Sequence, residues 1–338
     1  MKAVFFETAP WERRYLARAL KGVAATPQFV PAALTEAAAK QAGDAEIVSV
    51  FIYSQLTRAL IGRLKRARLI ATRSTGFDHI DLAACRARGI VVANVPAYGE
   101  NTVAEHTFAL ILSLSRNVHK AYVRTVRGDF SLTGLQGFDL KGKTIGVVGA
   151  GRIGMHVIKM AKGFGMEVLA YDVRKDPFLS EVLGFRYVPL EELLKESDIV
   201  SLHTPYSQAT HHLINRETVA RMKRGALLIN TARGGLVDTN ALVWALNDGI
   251  LAGAGLDVLE GEELVKEERQ LLEKDFPKER LVTALKNNIL LHRENVVITP
   301  HIAFDSREAL QRILDTTVAN ITGFLNGAAA NLVTKSSR

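Results

Sequence analysis

The segment Gly149-Ala150-Gly151-Arg152-Ile153-Gly154 constrains this chain more than any other, because of what stands on either side of it. Before it runs Thr144-Ile145-Gly146-Val147-Val148, apolar and rich in β-branched residues, the pattern of a buried strand. After it, Met155 to Lys162 reads as a helix. A chain that leaves a buried strand through three glycines and enters a helix at once presents unpaired backbone N–H groups and the positive end of a helix dipole. That combination suits a pyrophosphate. A second strand, Glu167 to Tyr171, delivers Asp172, 18 residues after Gly154, where a carboxylate accepts hydrogen bonds from an adenosine ribose. Glycines at this spacing occur often by chance. Strand, glycines, helix, second strand and terminal acid in this order predict a dinucleotide site. The charge of Asp172 opposes the 2′-phosphate of NADP and favours NAD, an effect that Arg174 and Lys175 partly offset.

Short apolar strands alternate with helical stretches along the chain, which implies parallel, doubly wound sheets. The first series is Ala3–Phe6, Ile47–Phe51, Leu69–Thr72 and Ile90–Ala93. A second begins at Lys143, with Thr144–Val148, Glu167–Tyr171, Ile199–Leu202, Ala226–Asn230, Leu251–Asp257 and Val296–Ile298. Two series imply two sheets, and 338 residues suit two domains better than one core. The helical stretch Asn101 to Arg116 and the polar segment Gly128 to Gly142 read as the connection. In Ser306 to Leu325, the residues Leu310, Ile313, Leu314, Val318, Ile321 and Leu325 form one buried helical stripe. Glu260 to Lys286 is charge-rich and reads as a solvated pair of short helices.

Composition narrows the function. The net charge of +8 raises nucleic acid as a partner, but the basic residues are scattered. Their densest cluster, Arg63, Lys65, Arg66 and Arg68, sits at a helix end and reads as a solvated face, so no nucleic-acid partner is expected. The longest apolar stretch, Thr107 to Leu114, is well short of a membrane span. Met1 to Glu7 looks like a first strand rather than a leader, so a cytoplasmic location is expected. Cys85 is the only cysteine and reads as a small buried side chain, so neither disulfides nor a metal site is expected.

Ligands of open parallel sheets collect beyond the carboxyl ends of the strands. Ala226–Asn230 runs into Thr231-Ala232-Arg233-Gly234-Gly235, and an arginine on a glycine-flanked turn can fork onto a carboxylate. Leu251–Asp257 ends in an acid, with Glu262 five residues on, and Val296–Ile298 ends at Thr299-Pro300-His301. Histidine exchanges a proton near neutrality and a carboxylate beside it stabilises the charged form, so His301 and Glu262 suit a proton-transfer pair. Taken singly, Arg233 reads equally as a surface arginine and His301 as an ordinary capped histidine. Together with a nicotinamide site they describe hydride transfer at a carbon bearing hydroxyl and carboxylate.

Seven stretches carry a wider resemblance: Ser74-Thr75-Gly76-Phe77-Asp78-His79-Ile80-Asp81, Asn94-Val95-Pro96, Val103-Ala104-Glu105-His106, the glycine segment, Asn230-Thr231-Ala232-Arg233-Gly234, Gly255-Leu256-Asp257-Val258 and Thr299-Pro300-His301. In this order they resemble the NAD-dependent D-2-hydroxyacid dehydrogenases, and most of all their D-lactate dehydrogenase branch. The resemblance implies two doubly wound α/β domains separated by a cleft that closes before hydride transfer. A flavodoxin-like substrate domain would come from residues 1–101 and 302–338, and a Rossmann coenzyme domain from 102–301. It implies that Arg233 binds the substrate carboxylate, that His301 is the general acid/base and that Glu262 orients it and raises its pKa. It further implies that Thr75 and Gly76 receive the carboxylate through backbone groups. Gly149, Gly151, Arg152, Ile153, Gly154, Asp172, Thr204, Pro205, Thr210, Thr231, Ala232 and Asp257 would hold NAD, with Asp257 near the nicotinamide carboxamide.

Tyr53 and Tyr98 fall where the D-lactate branch lines a small pocket with aromatics. Asp305 departs from that branch, which commonly has an aromatic there, so the preferred substrate side chain stays open. The implied reaction is reduction of pyruvate to D-lactate or of a close 2-oxo acid. Alternatives are a glyoxylate/hydroxypyruvate or phenylpyruvate reductase, or a dinucleotide-sensing corepressor-like binding protein. A homodimer is expected by resemblance.

Overall fold

The computed structural model describes residues 1–261 and 278–334. Glu262, with the rest of 262–277 from the charge-rich stretch, lies outside the described residues. The described chain divides into two compact units, Met1–Tyr98 together with the residues from Ser306 onward, and Gly99–Asp305.

The first unit holds five strands among the described residues: β1 (Lys2–Phe5), β2 (Thr26–Phe29), β3 (Ile47–Val50), β4 (Leu69–Thr72) and β5 (Val91–Ala93). They lie parallel in the order β2-β1-β3-β4-β5, the flavodoxin-like arrangement. Side chains alternate between the two sheet faces, and in β1, β3, β4 and β5 both faces are buried, which is why these four read as apolar runs. Val4, Val48, Val50, Ile70 and Val92 pack on one side. Ala3, Phe5, Ile47, Leu69 and Ala71 pack on the other, against Leu314 and Ile321 of the helix Arg307–Leu325. The apolar stripe of that helix therefore finishes a core begun by the first residues of the chain.

The second unit holds seven described strands, β6 (Thr144–Val148), β7 (Glu167–Tyr171), β8 (Arg186–Tyr187), β9 (Ile199–Leu202), β10 (Ala226–Asn230), β11 (Leu251–Leu256) and β12 (Val296–Ile298). Their order, β12-β11-β10-β9-β6-β7-β8, is the Rossmann order with a seventh strand added, and all the pairs are parallel. Ile145, Val147, Ile199 and Leu227 pack on one face with Leu110 and Ile111 of the helix Glu100–Ser115 and Val157 of the helix Arg152–Gly163. Val200, Leu228 and Ala254 pack on the other with Leu193, Leu242 and Ala245.

Two strands are absent from the sequence reading, β2 and β8, and both lie on sheet edges. Neither carries a buried run: β2 alternates exposed and half-buried residues, and β8 has two residues. Pro27 lies inside β2, where an edge tolerates the missing N–H. The helix Val118–Val126 is also unannounced by the sequence reading. It has no buried residue, so no inward stripe marks it.

Candidate active site

Every strand of the second unit points the same way, so all its carboxyl ends share one edge, and the polar residues singled out above follow those ends. After β6 the glycines are fixed by close contact. A Cβ on Gly154 would lie 2.0 Å from the Gly149 carbonyl oxygen, and one on Gly149 would lie 2.7 Å from the His203 carbonyl carbon. Gly149 also has a φ of +96°, which disfavours any side chain. Gly151 differs: nothing lies within 4 Å of where its Cβ would be. It caps the helix Arg152–Gly163 in extended conformation without a side-chain cap. Two glycines thus pack the turn and the third leaves open space over the first N–H groups of a helix, which fits a pyrophosphate. Asp172 follows β7. Its Oδ2 accepts from the Ala150 N–H and its Oδ1 from the Arg174 N–H, both at 2.8 Å, so the acid is tied to the glycine turn. A carboxylate with two donors keeps lone pairs for a ribose. The cradle therefore fits a dinucleotide. Beside it a groove of about 760 Å³ is lined by Gly151, Arg152, Lys159, Arg174 and Lys175, among others.

Beyond β9, His203 Nε2 lies 2.8 Å from the Ser201 hydroxyl. Although part of the residue stays accessible, loss of water around the ring pushes its pKa down to about 3, so the imidazole is neutral. Thr204 follows it. Thr210 then fastens the next loop, donating to the Pro205 carbonyl at 2.8 Å and accepting from the Ser207 N–H at 2.7 Å. Beyond β10, Thr231 Oγ1 lies 3.0 Å from Thr107 Oγ1. The Asn230 side chain accepts from the Ala232 N–H at 3.1 Å and donates to the Arg233 carbonyl at 2.9 Å. Gly234 presses on the chain at Leu259, where a Cβ would come within 2.1 Å of a carbonyl oxygen. The Arg233 turn is thus held on both flanks.

Asp257, one residue past β11, is 1% exposed. Its Oδ1 accepts from the Thr299 hydroxyl and from the Ile302 N–H, the latter at 2.9 Å, and its Oδ2 accepts from the Ala303 N–H at 2.9 Å. His106 Nε2 lies 3.5 Å from Oδ1 and 3.0 Å from Thr299 Oγ1. Burial works against ionisation of this acid, but the donors, His106 foremost, hold its pKa below the usual carboxylate range. Its main chain joins in: the Asp257 carbonyl accepts from the His301 N–H at 2.9 Å. His301 itself has a φ of +58°, an uncommon backbone for a non-glycine residue and one that the Asp257 bonds sustain. Asp257 therefore holds the loop that carries His301, a part the sequence reading did not give it. His106 ends Val103-Ala104-Glu105-His106, and nothing in the sequence marks it as a partner of Asp257. Arg233 and His301 extend from β10 and β12, with β11 between them, which separates their strand ends by about 10 Å.

The remaining candidates, Asp305 apart, belong to the first unit. Thr75 follows β4; its hydroxyl donates to the Val95 carbonyl at 2.7 Å, and its carbonyl accepts from Asn94 at 2.8 Å. The Gly76 carbonyl accepts from the Ser74 hydroxyl at 2.7 Å. Tyr53, after β3, is 51% exposed, and the Tyr98 carbonyl accepts from Arg312 at 2.6 Å. Asp305 is exposed and closes the second unit.

A glycine cradle at the head of a Rossmann sheet, with an arginine turn and a histidine turn locked beyond its other strands, defines a dinucleotide-dependent oxidoreductase. Residues 108–303 match the family described as D-isomer specific 2-hydroxyacid dehydrogenase, NAD binding domain. The chain is 43% identical to the D-specific alpha-keto acid dehydrogenase of Enterococcus faecium over 309 residues, 90% of each chain. It is 36% identical to the D-lactate dehydrogenase of Escherichia coli over 329 residues, 97% of this chain and 98% of that one. Its fold superposes with a TM-score of 0.88 on D-lactate dehydrogenase from Aquifex aeolicus complexed with NAD and lactic acid, at 40% identity, covering 99% of this chain and 100% of that one. The chain belongs to the D-isomer specific 2-hydroxyacid dehydrogenases. It is an NAD-dependent oxidoreductase of 2-hydroxy acids.

Proposed function

We propose that this enzyme interconverts pyruvate and D-lactate. The observation that carries the reading is the double turn at the sheet edge: Asn230 fixes the Arg233 turn, and buried Asp257 fixes the His301 turn two strands away. Arg233 forks onto the substrate carboxylate and draws charge from the neighbouring carbonyl. His301 gives its proton to the C2 oxygen during reduction and takes it back during oxidation. Glu262, outside the described residues, is the acid assigned to orient His301. Backbone groups of Thr75 and Gly76 receive the carboxylate, and Tyr53 and Tyr98 confine the side chain at C3 to a small group.

The glycine turn with Arg152 and Ile153 takes the pyrophosphate of NAD, and Asp172 takes the adenosine ribose. Thr204, Pro205, Thr210, Thr231 and Ala232 line the course of the dinucleotide. Asp257 serves its nicotinamide end through the loop Thr299 to Ala303, since the carboxylate itself is enclosed. Bound NAD(H) supplies or accepts the hydride at C2. The unit built from both chain ends is the substrate domain and Gly99–Asp305 the coenzyme domain. D-lactate dehydrogenases among the similar proteins support the choice of pyruvate.

Two further traits go with this reading. Val118, Tyr122 and Val126 follow one another along one exposed helix face, and Phe130 and Leu132 in the segment after it are exposed at 77% and 84%. That surface suits a second copy of the chain, and the enzyme is a homodimer. Among the described residues no helix is long and apolar enough to cross a membrane. A single cysteine, Cys85, and hence no disulfide framework, suits a reducing compartment, and the enzyme works in the cytoplasm.

The test is NADH oxidation with pyruvate, glyoxylate, hydroxypyruvate and phenylpyruvate, the product resolved by chiral chromatography. The expected result is the highest kcat/KM for pyruvate and D-lactate as product; a higher value for another acid reassigns the substrate. His301→Ala, assayed alongside, is expected to lose kcat while keeping NADH affinity. Turnover near that of the unaltered enzyme on every acid would overturn the mechanism.

A further inference from the structure

Glu7, just beyond β1, occupies backbone that ordinary side chains avoid, with φ at +54°. Its carboxylate gathers three donors from a single loop. Oε2 accepts from the Phe51 N–H and from the Ser54 hydroxyl, each at 2.7 Å, and Oε1 accepts from the Tyr53 N–H at 2.8 Å. Ser54 Oγ in turn accepts from the Leu34 N–H at 2.8 Å. Three converging donors need a side chain that only accepts, which an ionised carboxylate does.

Beneath this turn lies Arg73, fully enclosed at the end of β4. Its guanidinium donates to the carbonyls of Phe6 and Glu7 at 2.7 and 2.9 Å and to the Ser49 hydroxyl at 3.1 Å. Arg73 holds the left-handed turn from below, and Glu7 holds the loop above it. A buried cation and an unfavourable backbone both cost stability, and neither is needed to close the apolar core around them. What they fix is the main chain on either side of Tyr53 and, through Arg73, the start of Ser74-Thr75-Gly76.

We propose that Glu7 is a positioning residue for substrate selectivity, setting through Arg73 and the Phe51–Ser54 loop where the Tyr53 ring stands against the 2-oxo acid. This rests on the reading of Tyr53 as a pocket residue. The relay predicts that loosening Glu7 changes which side chain at C3 is accepted and leaves the coenzyme untouched.

The test uses full-length Glu7→Gln. The amide oxygen can keep the Phe51 and Ser54 donors, while the amide NH₂ meets the Tyr53 N–H as donor against donor. The ratio of kcat/KM for phenylpyruvate to that for pyruvate is expected to shift about fivefold to tenfold, mostly through KM, the size set by one oriented hydrogen bond. NADH affinity and kcat at saturating pyruvate are expected to stay within about twofold. A ratio that does not move in folded Glu7→Gln overturns the proposal. Should that variant fail to fold, Ser54→Ala removes one contact of the three; a smaller shift with NADH binding intact supports the relay, and no shift overturns it. Tyr53→Ala separates the two readings. If it leaves the ratio unchanged, Tyr53 is not a pocket residue and both fall; if it moves the ratio while Glu7→Gln does not, the relay alone falls.

Discussion

Arg233 and Lys differ in shape more than in charge, and the locked turn at Asn230 to Gly234 makes the difference measurable. A planar fork held by its own backbone can pair with both oxygens of a carboxylate; an ammonium meets it as a point charge. Arg233→Lys is expected to lower kcat/KM for pyruvate about a hundredfold, the scale of a charge-assisted hydrogen bond, with little change in NADH affinity. Steady-state kinetics with a separate NADH titration checks both halves. His203 gives a pH signature. Its pKa in the folded chain, about 3, lies below the ordinary histidine value, so the unfolded chain binds the extra proton first as pH falls. The stability tied to its neutral ring is complete above pH ~6.5 and is lost progressively as pH drops toward 3. Urea unfolding of His203→Gln between pH 7 and pH 5 is expected to show a flatter fall in stability than the unaltered chain. Equal slopes would mean that the ring is not desolvated.

At the scale of elements, the glycine turn separates packing from binding. Gly154→Ala drives a methyl into the Gly149 carbonyl, so it is expected to lower the melting temperature and abolish NADH binding together. Gly151→Ala meets open space in extended backbone, so stability is expected to hold while NADH affinity falls where the pyrophosphate approaches. Thermal melts and NADH fluorescence titration on the two variants distinguish these cases; equal affinity in Gly151→Ala would place the ligand elsewhere. Elements buried on both sides were legible in the sequence. Thr144–Val148, Ala226–Asn230 and Leu69–Thr72 stand where their apolar runs put them, because a parallel strand covered on both faces has no polar alternation to confuse it. The edge strands β2 and β8 and the helix Val118–Val126 were not, since their residues do not face a core from both sides.

For the whole molecule, the exposed apolar side chains Val118, Tyr122 and Val126 make association measurable. Tyr122→Glu with Val126→Asp is expected to turn a dimer into a monomer in sedimentation equilibrium, with the fold retained, because both side chains already face solvent in the single chain. A monomer before substitution would remove the homodimer from the proposal.

The sequence alone determined the dinucleotide cradle and the two parallel sheets, because both are written in contiguous residues: glycines that must turn a strand into a helix, and apolar runs that must be covered. It also singled out Arg233 and His301, each lying just past a strand end. Only the tertiary structure decided who holds them. Asp257, His106 and Thr299 are far apart along the chain and meet only when β11 and β12 lie side by side beneath the helix Glu100–Ser115. Glu7, Arg73 and Tyr53 likewise meet only where β1, β3 and β4 end together. Local spacing names the side chains that can do chemistry; long-range hydrogen bonds, which no local pattern encodes, set where they point.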